Sequence, residues 1–214
     1  MNYIFLRHAQ PDYDKDGRLT EAGINQAKHA GNTLKALYPN INHMVSSKAP
    51  RSMHTSEIIN EILAQNFDIG EIGISEEMAP RETDFRAPEL AASDPNMASM
   101  RECYQEALRV LEDLKQREFD GDVIITTHSM RMRMMLWAIQ NEKEPTTEEF
   151  IEFTRQNENK QHDPMQKEVR QDGTVKSRGY CKMFTVDLNA PTSEREVKYP
   201  YQELIKKLGV EKRN

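Results

Sequence analysis

Two short apolar runs, Tyr3 to Leu6 and Val123 to Thr127, have strand composition, and each is followed within two residues by a histidine, His8 and His128. Between these runs the hydrophobic period changes repeatedly. Glu21 to Leu37 carries Ala22, Ala27, Ala30, Leu34 and Leu37 at helical spacing, and Ser52 to Leu63 turns Ile58, Ile59, Ile62 and Leu63 to one face. A third helix is expected from Ser99, whose spacing to Glu102 suits a capping box, to about Lys115. His43 to Ser46 and Ile72 to Ile74 are weaker strand candidates. Strands that alternate with helices are joined by crossovers, and a parallel sheet must be covered on both faces. The pattern predicts an α/β fold, a three-layer sandwich with a mostly parallel central sheet flanked by helices. Met132, Met134 and Met135, beside Leu136 and Trp137, read as the core side of one such helix.

From Gln140 to Arg178 the periodicity weakens. Thr146 and Glu149 have capping-box spacing ahead of a short helix, and the polar stretch QNENKQHD after it reads as a surface excursion. Cys181 to Leu188 is expected as the last strand and Tyr201 to Leu208 as a closing helix. With 214 residues and neither repeat nor linker, the chain reads as one domain, 1–214, with an excursion at about 140–178.

Asp and Glu total 35 against 29 Lys and Arg, a formal charge of −6 that offers nucleic acid no general attraction. No stretch approaches membrane-spanning length or resembles a cleavable leader. Two cysteines, Cys103 and Cys181, suggest no disulfide framework. The expectation is a cytoplasmic protein with neither nucleic-acid nor membrane partners. There is no HExxH, CxxC or close histidine pair, so no metal is expected. DYDKDG, Asp12 to Gly17, imitates the opening of a calcium loop, but Gly23 stands where the twelfth-position glutamate belongs. A solvated turn is the better reading.

In an open α/β sheet, ligands gather at the carboxyl ends of strands, so His8 and His128 are expected to converge. A neutral imidazole can attack phosphorus, and the adjacent Arg7 offers planar donors to phosphate oxygens. Arg51, in VSSKAPRSMHT at the expected start of a helix, adds fixed charge where backbone donors also point. Ser46, Ser47 and Thr55 either help through their hydroxyls or cap locally. Singly, each residue has an ordinary reading as a solvated strand end, a surface arginine or a core histidine. Together they point to phosphate.

At this point a family becomes recognisable. Arg7, His8 and Ala9 resemble the Arg-His-Gly signature of the histidine phosphatase superfamily, the phosphoglycerate-mutase-like fold, with alanine at the usual glycine. LTEAGINQA resembles its first-helix pattern, through Leu19, Thr20, Gly23, Gln26 and Ala27. SSKAPRSMHT resembles its second phosphate-binding segment, with Arg51 as second arginine and Thr55 in the helical position. THSMRMR places His128 as second histidine, Arg133 as the arginine of the following helix, and Ser129 at another usual glycine.

The resemblance implies an enzyme that hydrolyses phosphomonoesters through a phosphohistidine on His8, with no cofactor and no metal. Arg7 and Arg51 would hold the phosphate, His128 would bond an equatorial oxygen, and Ser129 would add a substrate contact. A glutamate should protonate the leaving oxygen. Glu82 is the choice because RETDF resembles the Arg-Glu-x-Asp-Phe pattern, while Glu76 and Glu77 stay open as alternatives. Tyr13 and Phe85 are candidates for the pocket mouth, and Lys160, Lys167, Arg170 and Lys176 for contacts to further anionic groups or for plain solvated charge. The expected partner is a small phosphorylated substrate, metabolite or phosphoprotein. Three matters stay open: mutase-type phosphoryl transfer, a noncatalytic phosphate-binding module, and a homodimer through an edge strand.

Overall fold

The computed structural model describes residues 1–12, 14, 16–74, 99–161, 168–169, 175–176 and 180–208. In chain order the elements are β1 (Tyr3–Arg7), α1 (Glu21–Leu37), β2 (Ile41–Ser46), α2 (Pro50–Leu63), β3 (Ile69–Glu71), α3 (Met100–Gln116), β4 (Asp122–Thr127) and α4 (Ser129–Asn141). There follow α5 (Thr147–Gln161), the two-stranded β5 (Glu168–Val169) and β6 (Val175–Lys176), then β7 (Met183–Val186) and α6 (Pro200–Lys207). The main sheet has the order β3-β2-β4-β1-β7. All of its pairings are parallel except β1 with β7.

β1 lies between β4 and β7, and Tyr3, Ile4, Phe5 and Leu6 are fully buried. Strand alternation sends them into two cores. Tyr3 and Phe5 join residues of α3, α4 and α5 on one face, where Phe5 stacks on Phe184 at 4.9 Å. Ile4 and Leu6 join α1, α2 and α6 on the other. An unbroken apolar run is thus what a strand covered on both sides requires.

The first-helix pattern has a local physical account. Thr20 caps α1 by accepting from the Gly23 amide at 3.0 Å. The Gln26 side chain accepts from the Gln10 amide at 3.0 Å, and the Thr20 amide donates to the Gln10 carbonyl. A Cβ on Gly23 would lie 2.2 Å from that carbonyl oxygen, so glycine is required by the close approach. The helix start thereby fixes the chain two residues beyond His8.

Three expectations need correction. The third strand is Ile69–Glu71 and not Ile72 to Ile74; the latter isoleucines are apolar because they fill a core beyond the end of the strand. The helix after Thr146 is not short. It runs to Gln161 and takes in much of the stretch read as an excursion, with Asn157 and Gln161 buried. The last strand starts at Met183, because Cys181 has a left-handed backbone at φ 51°. The capping boxes at Ser99 with Glu102 and Thr146 with Glu149 are both formed. At DYDKDG the described carboxylates bond locally, Asp12 accepting from the Asp14 amide and Asp16 from the Arg18 amide. Among the described residues no His/Cys/Asp/Glu group could hold a metal ion, and no helix is long and apolar enough to cross a membrane.

Candidate active site

The carboxyl ends of β1, β2 and β4 bring Arg7, His8, Ser47 and His128 together, and α2 adds Arg51 from its first turn. The join is backbone-made: the His8 amide donates to the Thr127 carbonyl at 2.9 Å and the Ser47 amide to the Thr126 carbonyl at 3.1 Å. The imidazoles of His8 and His128 lie 5.3 Å apart, inclined at 61°.

Their partners define their tautomers. His8 Nδ1 is 2.7 Å from the Ala9 carbonyl, which can only accept, so Nδ1 carries the proton. In the neutral ring Nε2 is left with its lone pair. His128 Nδ1 lies 3.3 Å from Arg51 Nη2, which can only donate, so its proton sits on Nε2 and is given to Ser47 Oγ at 2.9 Å. One ring therefore presents a lone pair at Nε2 and the other an N–H donor.

Both rings are held neutral. Burial pushes His8 well below the usual histidine range, with Arg7, His128 and Arg51 adding to the effect against the Ala9 hydrogen bond. Burial first, then Arg51, Arg131 and Arg7, lower His128 to about 3. Arg51 Nε is buried with no hydrogen-bond partner among the described residues, a donor suited to an anion. Thr55 Oγ1 accepts from the Ala9 amide at 3.0 Å and donates to the Arg51 carbonyl at 2.7 Å, tying His8 to Arg51. Its hydroxyl thus positions both segments.

Ser129 opens α4 directly after His128 and is half-buried. Glu82, Glu76 and Glu77 lie outside the described residues, as do Tyr13, Phe85, Lys167 and Arg170. Lys160 stands at the end of α5, near the Tyr199 ring. Sequence reasoning missed Tyr180. Its ring faces the Arg7 guanidinium at 4.5 Å and lies 6.1 Å from His8. An aromatic side chain just before the last strand was its one trace in the sequence.

Neutral imidazoles framed by guanidinium groups at the carboxyl edge of an α/β sheet are the equipment of a protein that handles phosphoryl groups. The chain belongs to the histidine phosphatase superfamily, whose branch 1 model matches residues 3–157. Solved structures of similar fold include a putative α-ribazole-5′-phosphate phosphatase from Escherichia coli, with TM-score 0.61 and 12% identity, covering 93% of this chain and 96% of that one. A phosphoserine phosphatase from Entamoeba histolytica bound to phosphoserine gives TM-score 0.58 and 13% identity over 92% and 94% of the two chains. A mycobacterial glucosyl-3-phosphoglycerate phosphatase gives 0.56 and 14% over 92% and 97%. No curated protein matches the chain in sequence.

Proposed function

We propose that the chain hydrolyses a small phosphomonoester without a metal, through a phosphohistidine on His8. The observation that carries this reading is the pair of neutral imidazoles of opposite tautomer set beside two arginines. Arg7 and Arg51 bind the non-bridging oxygens. Nε2 of His8 attacks phosphorus in line, forming the N–P bond as the ester P–O bond breaks. His128 turns its Nε2–H from Ser47 to an equatorial oxygen, and Ser129 adds a contact beside it. A carboxylic acid gives its proton to the leaving oxygen. We assign that role to Glu82 on the resemblance of RETDF, with Glu76 and Glu77 as the alternatives. Water then attacks phosphorus, the same carboxylate takes its proton, and His8 is restored.

The chain is read as a single domain working in the cytoplasm, in keeping with its two cysteines, both buried. Phosphoserine and phosphorylated sugar acids head the substrate panel, because proteins of similar fold carry those names. The test is phosphate release across such a panel in EDTA, for wild type and His8→Ala, with enzyme quenched in alkaline detergent and probed for a base-stable, acid-labile phosphoryl label. Release and label, both lost in the variant, support the reading. Label that passes to a second substrate hydroxyl instead of water identifies mutase-type transfer. Phosphate binding with neither label nor release identifies a binding module. Glu82→Gln should slow turnover while Glu76→Gln and Glu77→Gln do not; the reverse pattern moves the acid.

A further inference from the structure

Behind the site lies a buried charge pair that the proposed chemistry does not use. Arg131, the third residue of α4, is 3% exposed, and its Nε lies 2.7 Å from Oε2 of Glu106, on α3, whose side chain is 9% exposed. Its Nη1 lies 2.9 Å from Cys103 Sγ, one turn earlier on the same helix. Arg109 approaches the other Glu106 oxygen at 4.0 Å from the solvent side.

This placement runs against local preference. A cation in the first turn of a helix meets the positive end of the helix dipole, and no acidic residue stands in that turn to offset it. Burying both partners also costs hydration, and apolar residues of similar volume often replace such a pair with no loss of stability. Stability therefore explains the pair poorly. Position explains it better. His128 is the N-cap residue of α4, its side chain makes no cap bond, and its carbonyl accepts from the Met132 amide at 2.9 Å. The imidazole is carried by the same turn as Arg131, while the guanidinium grips α3 at two points a turn apart. Two grips fix the rotation of that turn as well as its depth.

We propose that Glu106 and Arg131 form a strut that positions His128, setting through the first turn of α4 the direction in which Nε2–H points. They are positioning residues, with Cys103 as the second anchor of the guanidinium. The kinetic consequence rests on the phosphoryl-transfer reading above; the placement of the His128 ring does not. Around that ring stand Arg51 from α2, Arg7 and His8 at the end of β1, Ser47 after β2, and Arg131 from its own helix.

The test is the paired substitution Glu106→Leu with Arg131→Met, read by melting temperature, by kcat and KM on the best substrate, and by histidine-ring 15N NMR with His128 assigned through His128→Asn. The strut predicts a melting temperature equal to or above wild type, kcat lowered about tenfold or more with KM within about threefold, and a shifted or broadened His128 Nε2 signal. An unchanged kcat with an unchanged His128 signal overturns the proposal. Should the pair fail to fold, Glu106→Gln, which keeps shape and removes charge, is read by the same criteria. Should wild type release no phosphate, the hydrolysis reading fails by itself, and the His128 signal alone judges the strut.

Discussion

Burial and the neighbouring arginines favour the neutral rings of His8 and His128, and this has a consequence for acid stability. In the unfolded chain each takes up a proton near the ordinary value of about 6.5. In the folded chain His128 does so only at about 3 and His8 also far lower than usual. Between those limits the unfolded state binds more protons, so folding stability is lost as the pH is lowered, by up to about 1.4 kcal/mol per unit for each histidine. Urea melts at pH 6.5, 5.5 and 4.5 should show a shallower loss for His128→Asn than for wild type; parallel lines would contradict the neutral-ring assignment. Because Arg51 both orders His128 and offers a buried donor, Arg51→Ala is expected to lower kcat by about 100-fold or more under the proposed mechanism. Arg7, His8, Arg51 and His128 were legible in the sequence because each ends or follows a strand or opens a helix, where the fold class alone gathers ligands. Tyr180 was not, since it reaches Arg7 from the far end of the chain with no spacing rule to link them. Arg131 and Glu106 were equally silent, as charges on helices ordinarily read as solvated.

At the scale of elements, α1 and α2 act as clamps on the segment after β1. Gly23→Ala forces a Cβ against the Gln10 carbonyl, so a loss of about 1–3 kcal/mol is expected in denaturant melts, together with reduced turnover because Gln10 lies two residues past His8. Ser99→Ala removes one half of a formed capping box and should cost about 1 kcal/mol while leaving KM unchanged, measured by the same melts beside initial rates. Such caps were readable because their chemistry is local. The end of β3 was not, because Ile72 and Ile74 are apolar for a tertiary reason, the core they fill, and not for strand pairing. The length of α5 also escaped notice. Its polar sequence hides that Phe150, Thr154, Asn157 and Gln161 recur at helical spacing along a buried face.

Across the whole molecule, β1 separates two cores and ends in the site, so an anion bound there is felt by both layers. Inorganic phosphate at about 100 times its dissociation constant should stabilise the fold by about 2.7 kcal/mol. Arg7→Ala should abolish most of the corresponding rise in melting temperature; an equal rise in the variant would place phosphate elsewhere. The sheet's two rims have a separate consequence. β3 offers only three residues, and the free side of β7 is occupied where Thr185 and Lys198 exchange both backbone hydrogen bonds, at 2.8 and 2.9 Å. A strand arriving from a misfolded neighbour meets a stub on one side and a filled position on the other. Among the described residues, the rims of the main sheet therefore make a poor template for strand addition and fibril seeding.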